Sequence, residues 1–138
     1  MVKKNILIVD DDKDLLLALS VRLASVGYDV SRAPDAATAI LKAAQGKPDL
    51  ILLDLGLPDG NGFFVMDVVR QLSSAANVPV IVISARPQDV YKEAAILAGA
   101  KDYFQKPYRN DDLMTAIERE LAAAMPDSAA SMPGLSDT

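Results

Sequence analysis

The sequence predicts an α/β domain, a doubly wound sheet of five parallel strands with helices on both faces. Three observations predict it. Short apolar, β-branched runs alternate from end to end with segments whose apolar residues recur at helical spacing. The apolar residues are aliphatic: 51% of the chain is hydrophobic, but only 5% is aromatic and Trp is absent, as expected of strands buried on both faces. Finally, four of the strand-like runs end on residues suited to phosphoryl chemistry: Asp10 with Asp11, Asp54, Ser84 and Lys106. In an open parallel sheet the carboxyl ends of the strands line one crevice, so these groups would converge there.

Each element has its own signal. Ile6 to Val9 reads as the first strand, and the helix after it opens in Asp10, Asp11, Asp12 and Asp14. Leu16, Leu19, Leu23 and Val26 form its apolar stripe, and Gly27 is placed to stop it. Tyr28 to Val30 is a weaker second strand. Pro34 suits the first turn of a helix whose inward face is Ala37, Ile40, Leu41 and Ala44, ending at Gly46. Asp49 to Leu53, the most apolar strand, closes on Asp54 and a Gly/Pro loop from Gly56 to Gly62. Asn61 caps a third helix that turns Phe64, Val65, Val68 and Leu72 inward. Pro79 to Ile83 gives a fourth strand ending at Ser84, followed by a helix from about Pro87 to Leu97 that Gly99 terminates. Tyr103 to Gln105 is the fifth strand and Lys106-Pro107 a corner. Asn110 caps a last helix carrying Leu113, Ile117 and Leu121, with Asp111 and Asp112 suiting the positive end of its dipole. Residues 1–125 therefore read as one domain. The Ser, Ala, Pro and Gly of 126–138 show no periodicity and read as a disordered tail or linker stub.

Composition excludes several kinds of chemistry. The chain has no Cys and no His, which removes disulfides, thiolate or imidazole metal sites, a Ser-His-Asp triad and a phosphohistidine. Any phosphoryl donor must then be another molecule. The net charge of −5 argues against a broad polyanion-binding surface, so direct nucleic-acid binding is not expected. The N-terminal apolar run is too short for a signal peptide or a membrane span, which points to a soluble, cytoplasmic protein without membrane association.

The strand-end residues have a joint chemistry. Asp10, Asp11 and Asp54, once gathered, repel one another unless a cation sits among them. Mg²⁺ is the natural choice, with Mn²⁺ able to substitute, because it takes oxygen ligands from a few carboxylates and keeps water for the rest. Asp54 ends the central strand and is the best nucleophile, able to take a phosphoryl group as an acyl phosphate. Lys106 supplies a second cation and Ser84 a hydroxyl for a phosphoryl oxygen. Three carboxylates, one divalent ion and one lysine balance to zero, and exchanging the Asp54 charge for a dianionic phosphoryl leaves about −1. Taken singly, Asp54 is turn chemistry, the early acids are a helix cap and Lys106 is a solvated lysine. Their shared position at carboxyl ends of strands changes that reading.

Four segments carry a resemblance: Ile6 to Asp12 (ILIVDDD), Pro48 to Pro58 (PDLILLDLGLP), Val80 to Ala85 (VIVISA) and Gly99 to Pro107 (GAKDYFQKP). In this order and spacing, over residues 5 to about 122, the chain resembles the receiver domain of two-component response regulators. The resemblance implies a flavodoxin-like (βα)5 sheet in the order 2-1-3-4-5. It makes Asp54 the phosphoacceptor, Asp10 and Asp11 the acidic pair at the metal, and the Gly56 backbone carbonyl the remaining protein ligand. Ser84 becomes the hydroxyl switch, Lys106 the phosphoryl contact, Tyr103 an aromatic switch that turns inward, and Pro107 the residue after a cis peptide bond. Gly56 also stands where relatives often carry an overhanging side chain, and Arg86 lies two residues after Ser84; both positions would tune the phosphoryl lifetime.

The implied activity is a phosphorylation-dependent switch rather than an enzyme acting on other substrates, at most promoting its own phosphorylation and slow dephosphorylation. Its implied donor is a histidine kinase or a histidine phosphotransfer protein. Output would pass to a downstream protein target or effector domain through the face made by the fourth helix, fifth strand and fifth helix, with a phosphorylation-dependent homodimer as one form. The main alternative is a phosphohydrolase of the haloacid-dehalogenase type. Gly56 argues against it, since such enzymes carry a second Asp two residues after the nucleophile and place their metal-binding acids late. A receiver-like module that never turns over phosphate is the third reading.

Overall fold

The computed structural model describes residues 3–59 and 61–124, so the expected tail lies outside the described residues. Strands β1 (Asn5–Val9), β2 (Asp29–Ala33), β3 (Leu50–Leu53), β4 (Val80–Ser84) and β5 (Asp102–Gln105) alternate with helices α1 (Lys13–Ser25), α2 (Ala36–Gly46), α3 (Gly62–Gln71), α4 (Gln88–Leu97) and α5 (Asn110–Ala124). They form one sheet in the order β2-β1-β3-β4-β5, parallel at every junction. The order reverses direction between β1 and β3, the two strands that lead into Asp10 and Asp54. No helix among the described residues is long and apolar enough to cross a membrane.

Strand alternation divides the core cleanly in two. Leu7, Val9, Ile51, Leu53, Val80 and Val82 face α2, α3 and α4, whereas Ile6, Ile8, Leu50, Leu52, Ile81 and Ile83 face α1 and α5. Both sides of the central strands are covered, which is why those strands are apolar throughout rather than alternating.

The buried helix faces differ in part from the expected ones. In α1, Leu16, Leu19 and Leu23 are buried, but Val26 is the C-cap and 57% exposed, because Gly27 (φ +102) turns the chain away before Val26 reaches the sheet. The buried face of α2 is Ala36, Ala39 and Ala43; Leu41 and Ala37 are exposed, and Ile40 and Ala44 are only partly covered. Alanines let α2 lie close to the sheet, so size was a poor guide to which side faces inward. Pro34 precedes the helix, whose N-cap is Asp35, and the left-handed cap falls on Lys47 (φ +48) after Gly46. In α3, Gly62, Val65, Met66 and Val69 are buried and Phe64 is exposed, with Val68 and Leu72 partly covered. Asn61 does cap α3, accepting from the Phe64 N–H at 3.0 Å. Asn110 is the first residue of α5 rather than its cap, since the Arg109 carbonyl accepts from the Leu113 N–H at 3.2 Å.

Candidate phosphoryl and metal site

The backbone places the acids before their side chains act. The Asp54 N–H donates to the Val9 carbonyl at 2.9 Å, extending the β1–β3 ladder by one residue, and the Asp10 N–H donates to the Ala33 carbonyl at 3.1 Å. Asp10 and Asp54 are thus held by sheet bonds at neighbouring strand ends. Asp11 follows Asp10 into the turn, where Asp12 begins α1 by accepting from the N–H groups of Asp14 and Leu15 at 3.0 and 3.2 Å.

One oxygen from each of Asp10, Asp11 and Asp54 lies within 4.8 Å of the others. Asp10 is fully buried and Asp54 is 6% exposed, while Asp11 is open to solvent. Two nearly dry carboxylates and one wet one make an oxygen-only cradle with an open side, a donor set suited to a hard divalent ion that keeps part of its water. The residues present therefore fit such an ion.

Lys106 enters from the β5 side. Its Nζ lies 2.7 Å from Asp10 Oδ2 and 3.7 Å from Asp54 Oδ2. Its own N–H donates to the Ser84 carbonyl at 2.7 Å, and the Lys106–Pro107 peptide bond is cis. Burial is the largest influence on Asp10 and raises its pKa, outweighing the Lys106 hydrogen bond and the Asp12 N–H at 2.9 Å, which both favour the carboxylate. Burial works to lower the Lys106 pKa, but the hydrogen bond and charge of Asp10, with the charges of Asp54 and Asp12, overcome it and move the group upward. Lys106 accordingly stays an ammonium at neutral pH.

The remaining residues stand at the rim. Asp54 Oδ1 accepts from the Gly56 N–H at 3.1 Å, and among the described residues a Cβ at Gly56 would come within 4 Å of that Oδ1 alone, at 3.8 Å. Ser84 is buried and its Oγ accepts from the Arg86 N–H at 3.2 Å. Tyr103 is 3% exposed, and its hydroxyl donates to the Arg86 carbonyl at 2.7 Å, so the ring already points inward. The Arg86 guanidinium lies 5.3 Å from the centre of the Tyr91 ring, a cation–π contact that draws it toward α4. All the strand-end residues thus gather at one end of the sheet, with Tyr103 and Arg86 linked to Ser84. Sequence reasoning missed Asp59, whose carboxylate bonds to the start of α2; its only signal was an Asp in a turn-rich loop.

The model of the response regulator receiver domain family matches residues 6–118, and the chain belongs to that family. Among curated proteins it is 42% identical over 127 residues to the KDP operon transcriptional regulatory protein KdpE of Escherichia coli K12, covering 89% of this chain and 55% of that protein. The chain spans about half the length of the curated relatives it matches. Among solved structures it is similar to a CheY-like receiver domain protein from Methanospirillum hungatei JF-1, at 29% identity and a TM-score of 0.82, covering 88% of this chain and 96% of that one. It is also similar to the receiver domain of the sensor histidine kinase PA1611 from Pseudomonas aeruginosa PAO1, solved with a magnesium ion coordinated in its active-site cleft. That match has 27% identity and a TM-score of 0.80, covering 88% of this chain and 99% of that one. These relatives support phosphorylation-based switching and give no support to a haloacid-dehalogenase hydrolase.

Proposed function

We propose that this domain, residues 1–125, receives a phosphoryl group on Asp54 from a histidine kinase or a histidine phosphotransfer protein and signals by changing its protein contacts. The observation that carries this reading is the meeting of three carboxylates and one lysine ammonium at the ends of β1, β3 and β5. The reaction forms a bond between an Asp54 carboxylate oxygen and phosphorus and breaks the donor's N–P bond, leaving the donor imidazole to take a proton. Asp10, Asp11, Asp54 and the Gly56 carbonyl would hold Mg²⁺, or Mn²⁺ in its place. Such an ion, when bound, neutralises charge on the transferring oxygens.

The chain's own groups do the rest. Lys106, already paired with Asp10, would offer its ammonium to a phosphoryl oxygen, and the Ser84 hydroxyl would donate to another. A shift of Ser84 would be felt at Arg86, whose N–H it accepts and whose carbonyl holds Tyr103. This gives the site a short covalent and hydrogen-bonded path to the face of α4, β5 and α5, through which a downstream target, an effector domain or a second copy of the chain would be engaged.

The experiment is intact-mass measurement after incubation with a small acyl-phosphate donor, with Mg²⁺ or with a chelator. One phosphoryl adduct that needs Mg²⁺ and is lost in Asp54→Asn is expected. Rapid turnover of varied phosphate esters would instead restore the hydrolase reading, and no adduct would leave a module that only binds.

A further inference from the structure

The loop between β3 and α3 is held at three places. Among the described residues, the Gly56 N–H donates to Asp54 Oδ1 at 3.1 Å, and the Gly62 N–H donates to the Leu55 carbonyl at 3.0 Å. Between these points, the Asp59 carboxylate reaches back to α2, with Oδ1 accepting from the Ala36 N–H at 2.7 Å and Oδ2 from the Ala37 N–H at 3.2 Å. Those donors belong to the first helical turn, which has no intrahelical acceptors for them, and a carboxylate there also meets the positive end of the helix dipole.

Helix α2 does not need Asp59 in order to begin. Asp35 is its N-cap and accepts from the Thr38 N–H at 2.7 Å. The second carboxylate comes from a different element and grips with both oxygens, so its main effect falls on the loop that supplies it. Helix α2 is a firm anchor, since Ala36, Ala39 and Ala43 are packed into the core. The segment between the two fixed points, Asp54 and Asp59, contains Gly56.

We propose that Asp59 is a positioning residue for the metal site: by tying the β3–α3 loop to the N-terminus of α2, it holds the Gly56 carbonyl where an ion can use it. This rests on the reading above that the Gly56 carbonyl is a metal ligand. Asp59 itself is not proposed as a ligand, since both its carboxylate oxygens accept from α2. Its role is that of an outer partner that orients a ligand, and loss of such partners commonly weakens metal binding by about 10–100-fold.

Calorimetric titration of Mg²⁺ into the unphosphorylated full chain tests this, alongside thermal midpoints taken in chelator. Asp59→Ala is expected to weaken Mg²⁺ binding about tenfold, at the lower end of that range. Asp59→Asn keeps one acceptor and should fall between Asp59→Ala and wild type. Asp35→Ala removes the other cap of the same helix; it should lower the thermal midpoint yet leave Mg²⁺ affinity unchanged. Wild-type affinity in Asp59→Ala, or an equal loss in Asp35→Ala, would overturn the proposal by reducing Asp59 to an ordinary helix cap. If Asp59→Ala does not fold, Asp59→Asn decides alone, with unchanged affinity overturning it. A wild-type chain that binds no Mg²⁺ would overturn the metal reading itself, and this inference with it.

Discussion

Lys106 shows how much a single side chain settles here. Its 2.7 Å contact with the fully buried Asp10 compensates a carboxylate that burial disfavours, and its Nζ also stands 3.7 Å from Oδ2 of Asp54, the proposed acceptor. Lys106→Ala is expected to slow phosphorylation from a small acyl-phosphate donor by roughly 10²–10³-fold, the usual loss when one preorganised charge partner is removed. Initial rates from intact mass would check it. Arg86 presents a sharper question, because its guanidinium lies over the Tyr91 ring, 5.3 Å from its centre, in this structure. If Arg86 shields the phosphoryl group, Arg86→Ala will shorten the phosphoryl half-life. An unchanged half-life removes Arg86 from the site and leaves open Gly56 as the position that sets water access. At this scale the sequence was most legible where chemistry was scarce. With no Cys and no His, the strand-end acids and lysine were the conspicuous reactive groups, whereas the bond from Asp59 to α2 joins residues 23 apart and left no local pattern.

Elements were legible in kind and order, but less so in rotation. Five strands and five helices stand in the expected order; β1, β3 and β4, covered on both faces, carry the aliphatic signature, whereas the edge strands β2 (DVSRA) and β5 (DYFQ) do not, and β2 runs to Ala33 rather than ending at Val30. The buried faces of α2 and α3 are rotated from the ones that apolar spacing predicts. Helix α2 turns Ala39 and Ala43 to the sheet and leaves Leu41 outside, a choice set by how closely the helix approaches β1 and α3 rather than by hydrophobicity alone. The same closeness governs the start of α3. A Cβ on Gly62 would sit 2.6 Å from the Asp54 carbonyl oxygen and 2.9 Å from the Leu55 Cα, both backbone atoms that cannot swing aside. Gly62→Ala is therefore expected to cost about 1–3 kcal/mol in chemical denaturation. It should also slow phosphorylation, because the strand end that must yield is the one carrying Asp54. A variant as stable and as reactive as wild type would show that the loop is looser than this geometry implies.

For the whole molecule, several buried or partly buried titratable groups bear on stability in the same direction. Burial raises the pKa values of Tyr28, Tyr103 and Tyr108, and for Tyr103 it outweighs the Ser84 and Arg86 influences that act downward. Lys106 also ends above its ordinary value, its carboxylate neighbours outweighing burial. The unfolded chain releases these protons first, from about pH 10 upward, so the native state holds more protons there. Their contribution is fully present below that pH and is lost as the pH rises through the folded values. Denaturant midpoints should hold steady to about pH 9 and then fall, less steeply in Tyr103→Phe than in wild type. Identical slopes would show that the Tyr103 hydroxyl is not held as its 2.7 Å bond to Arg86 indicates.

The central proposal, that Asp54 is the acceptor, can be read directly. The chain would be phosphorylated with a small acyl-phosphate donor and Mg²⁺, treated at once with borohydride, which reduces an aspartyl phosphate to homoserine, then digested and mapped by mass spectrometry. Homoserine at position 54, dependent on Mg²⁺, is the predicted result. Homoserine at Asp10 or Asp11, with Asp54 unreduced in a chain that carried the phosphoryl group, would contradict the account.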